Sequence, residues 1–170
     1  MKRLFVVAFA LVGAACTPQP DTSEAQGVIR DLYATVEEHI GRISTPLDAI
    51  PMTDELASLT SRAQVAALAR NEPFIEGDIA ANCQDCTSIS GLEIGPQTGP
   101  EPVPAAEGHV MLEARFMLNG NEPRAVLYDM VETPQGWRID NILTEGFNLR
   151  TESQSYLDDA AEPAEEIPAP

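Results

Sequence analysis

Apolar residues recur at helical spacing early in the chain and at strand spacing late in it. Val28, Ile29, Leu32, Tyr33, Val36 and Ile40 follow one another at steps of one, three and four, with Arg30, Asp31, Glu37 and Glu38 mostly opposite. That period predicts an amphipathic helix over about 24–40, closed by Gly41. A second helix is expected after Pro51-Met52, where Thr53 can cap and Asp54 and Glu55 suit the positive end of a helix dipole. Leu56, Leu59, Val65, Leu68 and the alanines between them carry it to about Arg70, with Ser61 as the place where it could break, and Asn71-Glu72-Pro73 ends it. From His109 to Leu118 the period becomes two: Val110, Leu112, Ala114, Phe116 and Leu118 take one face, and Met111, Glu113, Arg115 and Met117 the other. Turns at Asn119 to Pro123 and Thr133 to Gly136 separate this strand from two more, over 124–132 and 137–143. An earlier strand over 87–94 is joined to them by the proline- and glycine-rich loop 95–107. Helices followed by an antiparallel meander give an α+β fold, N-terminal helices packed on a curved sheet.

The two ends of the chain read differently. Met1-Lys2-Arg3, the apolar run Leu4 to Val12 and the small residues Gly13-Ala14-Ala15 form the three parts of a secretory signal peptide over 1–15. The run is far shorter than the about 20 residues that span a bilayer. Small residues followed at once by Cys16 resemble the lipobox of bacterial lipoproteins, with Gly13 where an aliphatic residue is usual. The resemblance implies lipidation of Cys16 and a membrane anchor through that lipid, facing the periplasm. Thr17 after the cysteine is similar to outer-membrane sorting in Gram-negative lipoproteins. Residues 16–26 are polar, with two prolines, as a tether would be. At the far end 151–170 holds six acids and three prolines without a basic residue, and is expected to be a disordered acidic tail. One domain over 27–150 lies between them.

The chain of 170 residues carries 27 acidic and 10 basic side chains, a net charge of −17. Its only lysine, Lys2, leaves with the signal peptide together with Arg3, after which 8 arginines face all 27 acids. Nucleic acid is excluded as a partner, because it needs a basic face that displaces counterions. A basic protein or a small molecule remains open as ligand.

The run from Ala114 to Ile142, with its polar turn, its Tyr128-Asp129 strand and the closing Gly136-Trp137-Arg138-Ile139-Asp140-Asn141-Ile142, resembles the C-terminal hairpins of small exported bacterial domains of the nuclear-transport-factor-2-like superfamily. It looks especially like the exported family numbered 3828 among domains of unknown function. The resemblance implies a cone-shaped fold with a pocket between helix and sheet. In isomerase relatives an aspartate base and a tyrosine donor work in that pocket, so Tyr33, Arg115, Tyr128, Asp129 and Asp140 are the candidates for its lining. Each also has a plain reading: the tyrosines as core, Arg115 paired with a cross-strand acid, the aspartates ion-paired or solvated. Trp137 is expected in the core beside Ile139.

Cys83 and Cys86 form a Cys-x-x-Cys pair. Asp85 between them and Glu76 and Asp78 nearby disfavour the thiolate of a redox pair. A zinc site would need more ligands, and His39 and His109 lie on different elements. In an oxidising compartment the pair reads as a short local disulfide. No phosphate loop, dinucleotide fingerprint or metalloprotease motif occurs, so neither cofactor nor metal is expected. The expected function is an envelope binding module without enzymatic activity. The alternatives are an inhibitor or immunity-type partner of a basic exported protein, and an isomerase- or dehydratase-like enzyme using a cone pocket.

Overall fold

The structure, a computed structural model, describes residues 21–42, 44–99 and 101–161. The expected signal peptide, Cys16 and the end of the expected tail from 162 lie outside the described residues. Helix α1 (Ser23–His39) and helix α2 (Asp54–Ala69) precede strands β1 (Ile89–Pro96), β2 (His109–Leu118), β3 (Glu122–Thr133), β4 (Gly136–Thr144) and β5 (Phe147–Asn148), and helix α3 (Leu149–Ala161) follows them. The five strands pair in chain order as one antiparallel meander, so the fold is α+β.

α1 buries Ala25, Ile29, Leu32, Tyr33 and Val36, the face its period marks out. α2 is capped by Thr53, whose Oγ1 accepts the Leu56 amide at 3.2 Å, and it runs through Ser61 without a break. Its inward stripe is Leu56, Leu59, Thr60, Ala63 and Ala67, at helical spacing. Val65 and Leu68 fall beside that stripe and are 65% and 69% exposed, although the sequence pattern counts them with the core. Leu56 and Leu59 continue inward through the small Ala63 and Ala67, not through Val65 and Leu68.

The sheet alternates as its sequence predicts. Leu112, Ala114, Phe116 and Leu118 of β2 and Val126, Tyr128 and Met130 of β3 are buried against the helices, and the residues between them face outward. The loop Asn119 to Asn121 sets the register, pairing Leu118 with Glu122 and His109 with Val131. In β4 the register slips: Asp129 faces Asn141 but Met130 faces Ile139, so Asp140 is the extra residue of a bulge. Ile139 is fully buried, whereas Trp137 is partly buried and packs against the edge of the core.

Two features go beyond the sequence reading or against it. The segment between α2 and β1, for which the sequence pattern gives no helix or strand, sends Phe74, Ile79, Ala80 and Ala81 into the core. Buried Asp78 holds it there, accepting from the Thr45 amide at 2.7 Å, the Thr45 hydroxyl at 2.6 Å and the Ala81 amide at 3.0 Å. The expected disordered tail is also corrected: Thr151 to Ala161 continue α3. Asn148 Oδ1 caps this helix by accepting the Thr151 amide at 3.1 Å. Leu149 and Ser153 are fully buried, and Tyr156 and Leu157 pack against the core on the same face. Arg70 lies over the Tyr156 ring at 5.4 Å and donates to its carbonyl at 3.1 Å, while the Tyr156 hydroxyl donates to the Pro73 carbonyl at 3.0 Å. The prolines that argued for disorder, Pro163, Pro168 and Pro170, all lie beyond the helix.

Candidate functional site

The space between α1 and the sheet, where the resemblance places a pocket, is occupied by packed side chains around Tyr33 and Tyr128. Tyr33 and Tyr128 are fully buried, and their hydroxyls both donate to the carbonyl of Ala80, at 2.8 and 3.1 Å. Phe116 packs edge-on to Tyr33 with ring centres 5.2 Å apart, and Tyr128 does so at 6.4 Å. Burial is the leading cause that pushes both phenols well above their ordinary range, so they stay protonated as donors. Both tyrosines are therefore core residues rather than pocket lining.

Arg115 lies on the outward face of β2. It pairs with Glu113 on its own strand and with Glu93 across β1 at 3.7 Å, and donates to the Thr98 hydroxyl at 3.1 Å. Glu113 in turn accepts the Thr98 amide and hydroxyl, both at 3.1 Å. Together they staple the loop after β1 onto the sheet, which is a structural task.

The two aspartates do come together, with a partner outside the candidate set. His109 Nδ1 is 2.9 Å from Asp129 Oδ1, and one ligand atom from each of His109, Asp129 and Asp140 lies within 4.8 Å of the others. The bulge brings Asp140 there. Its Oδ1 also accepts from the Thr53 hydroxyl at 2.8 Å and pairs with Arg150 Nη2, whose Nη1 reaches Glu55 at 3.1 Å. Partial burial works against the Arg150 charge, but Asp140 and Glu55 outweigh it and hold its pKa above the ordinary value. The cluster thus ties the cap of α2, the first turn of α3 and three strands to one spot.

Cys83 and Cys86 lie at disulfide distance, their Cα atoms 5.8 Å apart, and are bonded to each other. The loop they close is fixed further by Asp78, whose amide donates to the Cys83 carbonyl at 2.7 Å. Beside it opens a cleft of about 440 Å³ between this loop, the β2–β3 turn and the β4–β5 turn. Its floor is apolar, with Ile79, Leu118 and Phe147, and its rim carries the exposed acids Glu76, Asp85, Glu122 and Glu145. Arg124, the only cation of the lining, is paired with Glu122 at 3.0 Å.

No protein-family model and no curated protein matches the chain. Among solved structures, the phospholipid-binding protein from Ralstonia solanacearum, solved with a phospholipid, is 17% identical over 78% of this chain and 73% of that one. The TM-score of that pair is 0.35, too low a likeness to support any inference about fold or ligand.

Sequence reasoning missed the cleft acids, His109 as a partner of Asp129, and Arg150. The outward phase of β2 and β3 carries a signal for the histidine: with Leu118 opposite Glu122, His109 and Asp129 are diagonal neighbours on one face. Nothing in the local pattern signals Arg150, whose partners Glu55 and Asp140 are distant in the chain.

Proposed function

We propose that this chain is an exported, lipid-anchored binding module of the bacterial envelope that works without chemistry of its own. Its domain stands off the periplasmic side of the membrane on the tether after Cys16, and binds a cationic segment of a basic exported protein in the cleft beside Cys83 and Cys86. In this reading the fold is a member of the cone-shaped nuclear-transport-factor-2-like group whose internal pocket has been closed by Ala80 and the aromatic residues around it. The observation that carries the proposal is the cleft itself: four exposed acids over an apolar floor, with its single arginine already paired. Such a rim raises the local concentration of cationic ligands and speeds their encounter, while the floor supplies area for burial. The packing around Tyr33 and Tyr128 weighs against the isomerase-like reading, since among the described residues both candidate tyrosines are buried and bonded to the Ala80 carbonyl.

The test is titration of the labelled protein with a lysine- and arginine-rich peptide carrying one aromatic residue, and with its glutamate counterpart, followed by amide chemical shifts. Shifts at 82–86, 119–122 and 144–147 with the basic peptide, lost at high salt and in a Glu122→Lys, Glu145→Lys variant, are expected. Binding that ignores salt and these substitutions, or no binding of the basic peptide, overturns the reading.

A further inference from the structure

The geometry points to a second site on the opposite side of β3: we propose that His109, Asp129 and Asp140 form a three-ligand site for a divalent transition metal ion of the zinc class. One imidazole nitrogen and two carboxylate oxygens come from three neighbouring strands, β2, β3 and β4, so the sheet itself fixes their spacing. Bond lengths of about 2.0–2.1 Å place adjacent ligand atoms of a tetrahedral ion roughly 3.3 Å apart. The 2.9 Å from His109 Nδ1 to Asp129 Oδ1 is close to that edge, and small side-chain rotations bring in Asp140 from within 4.8 Å.

Charge favours the ion as well. Asp140 and Glu55 share one guanidinium, that of Arg150, while Asp129 faces only the His109 imidazole, which leaves an excess of negative charge that a dication cancels. The contacts that hold Asp140 from behind, Thr53 and Arg150, both fall on Oδ1, which leaves Oδ2 for the ion. They act as the outer partners that orient a ligand. On coordination through Nδ1 the neutral His109 ring carries its proton on Nε2, the hydrogen bond to Asp129 gives way to one bond from each residue to the ion, and water completes the shell. A mixed nitrogen and oxygen donor set suits zinc better than magnesium or calcium, which prefer oxygen alone. The site is separate from the cleft proposed above and stands or falls independently of it.

The experiment is calorimetric titration of the full-length chain, with Cys16→Ala and with Cys83 and Cys86 kept bonded, against zinc, magnesium and calcium chloride. One equivalent of zinc is expected, with magnesium and calcium at least about tenfold weaker. His109→Gln and Asp129→Asn should each weaken zinc by about tenfold or more. A second readout needs no variant: nitrogen-edited spectra of the two imidazoles should show the His109 ring shifting with zinc while His39, bonded through Nδ1 to the Thr35 carbonyl at 2.8 Å, does not. Zinc uptake that survives both substitutions, equal shifts at both rings, or no uptake at all overturns the proposal.

Discussion

The carbonyl of Ala80 receives hydrogen bonds from two buried phenols, and that arrangement makes a quantitative prediction. Replacing Tyr128 with Phe removes one donor, but the Tyr33 hydroxyl still satisfies the carbonyl from 2.8 Å. Replacing Tyr33 leaves the Tyr128 hydroxyl, 3.1 Å away, in the same role. Each single change should therefore cost only the net value of one buried hydrogen bond, about 0.5–1.5 kcal/mol. The double change leaves a buried carbonyl with no partner, which adds about 1–3 kcal/mol to the sum of the singles. Urea unfolding of the four proteins, with a slope of about 1–3 kcal/mol per molar, resolves a coupling of that size. Additive losses would refute the reasoning, because they would mean that water or another group reaches Ala80, and with it that the interior between α1 and the sheet is open rather than filled.

Further outcomes follow from the same contacts. Since burial raises the ionisation of Tyr33 and Tyr128 above the value of about 10 for an unfolded phenol, the folded state binds more protons than the unfolded state in alkali. The contribution of the two phenols should be level from neutral pH to about pH 10 and stability should fall as pH rises beyond it, less steeply in either Phe variant in the same urea assay. Gly77 has φ +94°, and a Cβ there would lie 2.4 Å from the Cys83 carbonyl oxygen, so Gly77→Ala should destabilise by more than about 2 kcal/mol, measured by thermal unfolding. Ending the chain at Arg150 removes Ser153, Tyr156 and Leu157 from the α2 face and should lower stability by about 3 kcal/mol or more; a shortened protein that melts with the full-length one would restore the disordered tail.

The network around Asp140 shows why the bulge in β4 matters. A regular strand would alternate Asp140 to the face opposite Asn141. The extra residue lets Asp140 reach Thr53 and Arg150 while Asn141 accepts the Arg150 amide at 3.1 Å and donates to Asn148 Oδ1 at 3.1 Å. β4 exchanges partners along its edge at this point: Ile139 bonds to the segment before α2 through Pro51 and Thr53, and Leu143 pairs with Asn148 of β5. The closing motif Trp137 to Ile142 is thus a junction, holding the start of α2 and the start of α3 to the sheet.

Periodicity by itself determined the two first helices, the phase of β2 and β3 and the order of helices before sheet, because those patterns are local and the turns at Asn119-Gly120 and Gly136 are strong. Asp129 and Asp140 came from the family resemblance of the closing strands and not from periodicity, and neither told what surrounds them. The tertiary structure alone decided the rest. Val65 and Leu68 are exposed because the neighbouring stripe from Leu56 to Ala67 takes the inward face; α3 is ordered because Arg70, Pro73 and Phe74 wait for Tyr156; and the space between α1 and the sheet is filled because Asp78 and Thr45 hold the segment that brings Ala80 to the two tyrosines. In each case the deciding contact joins segments far apart in the chain. Whether a face is buried, a tail ordered or a pocket open depends on what arrives from elsewhere, and no local pattern of polar and apolar residues carries that information.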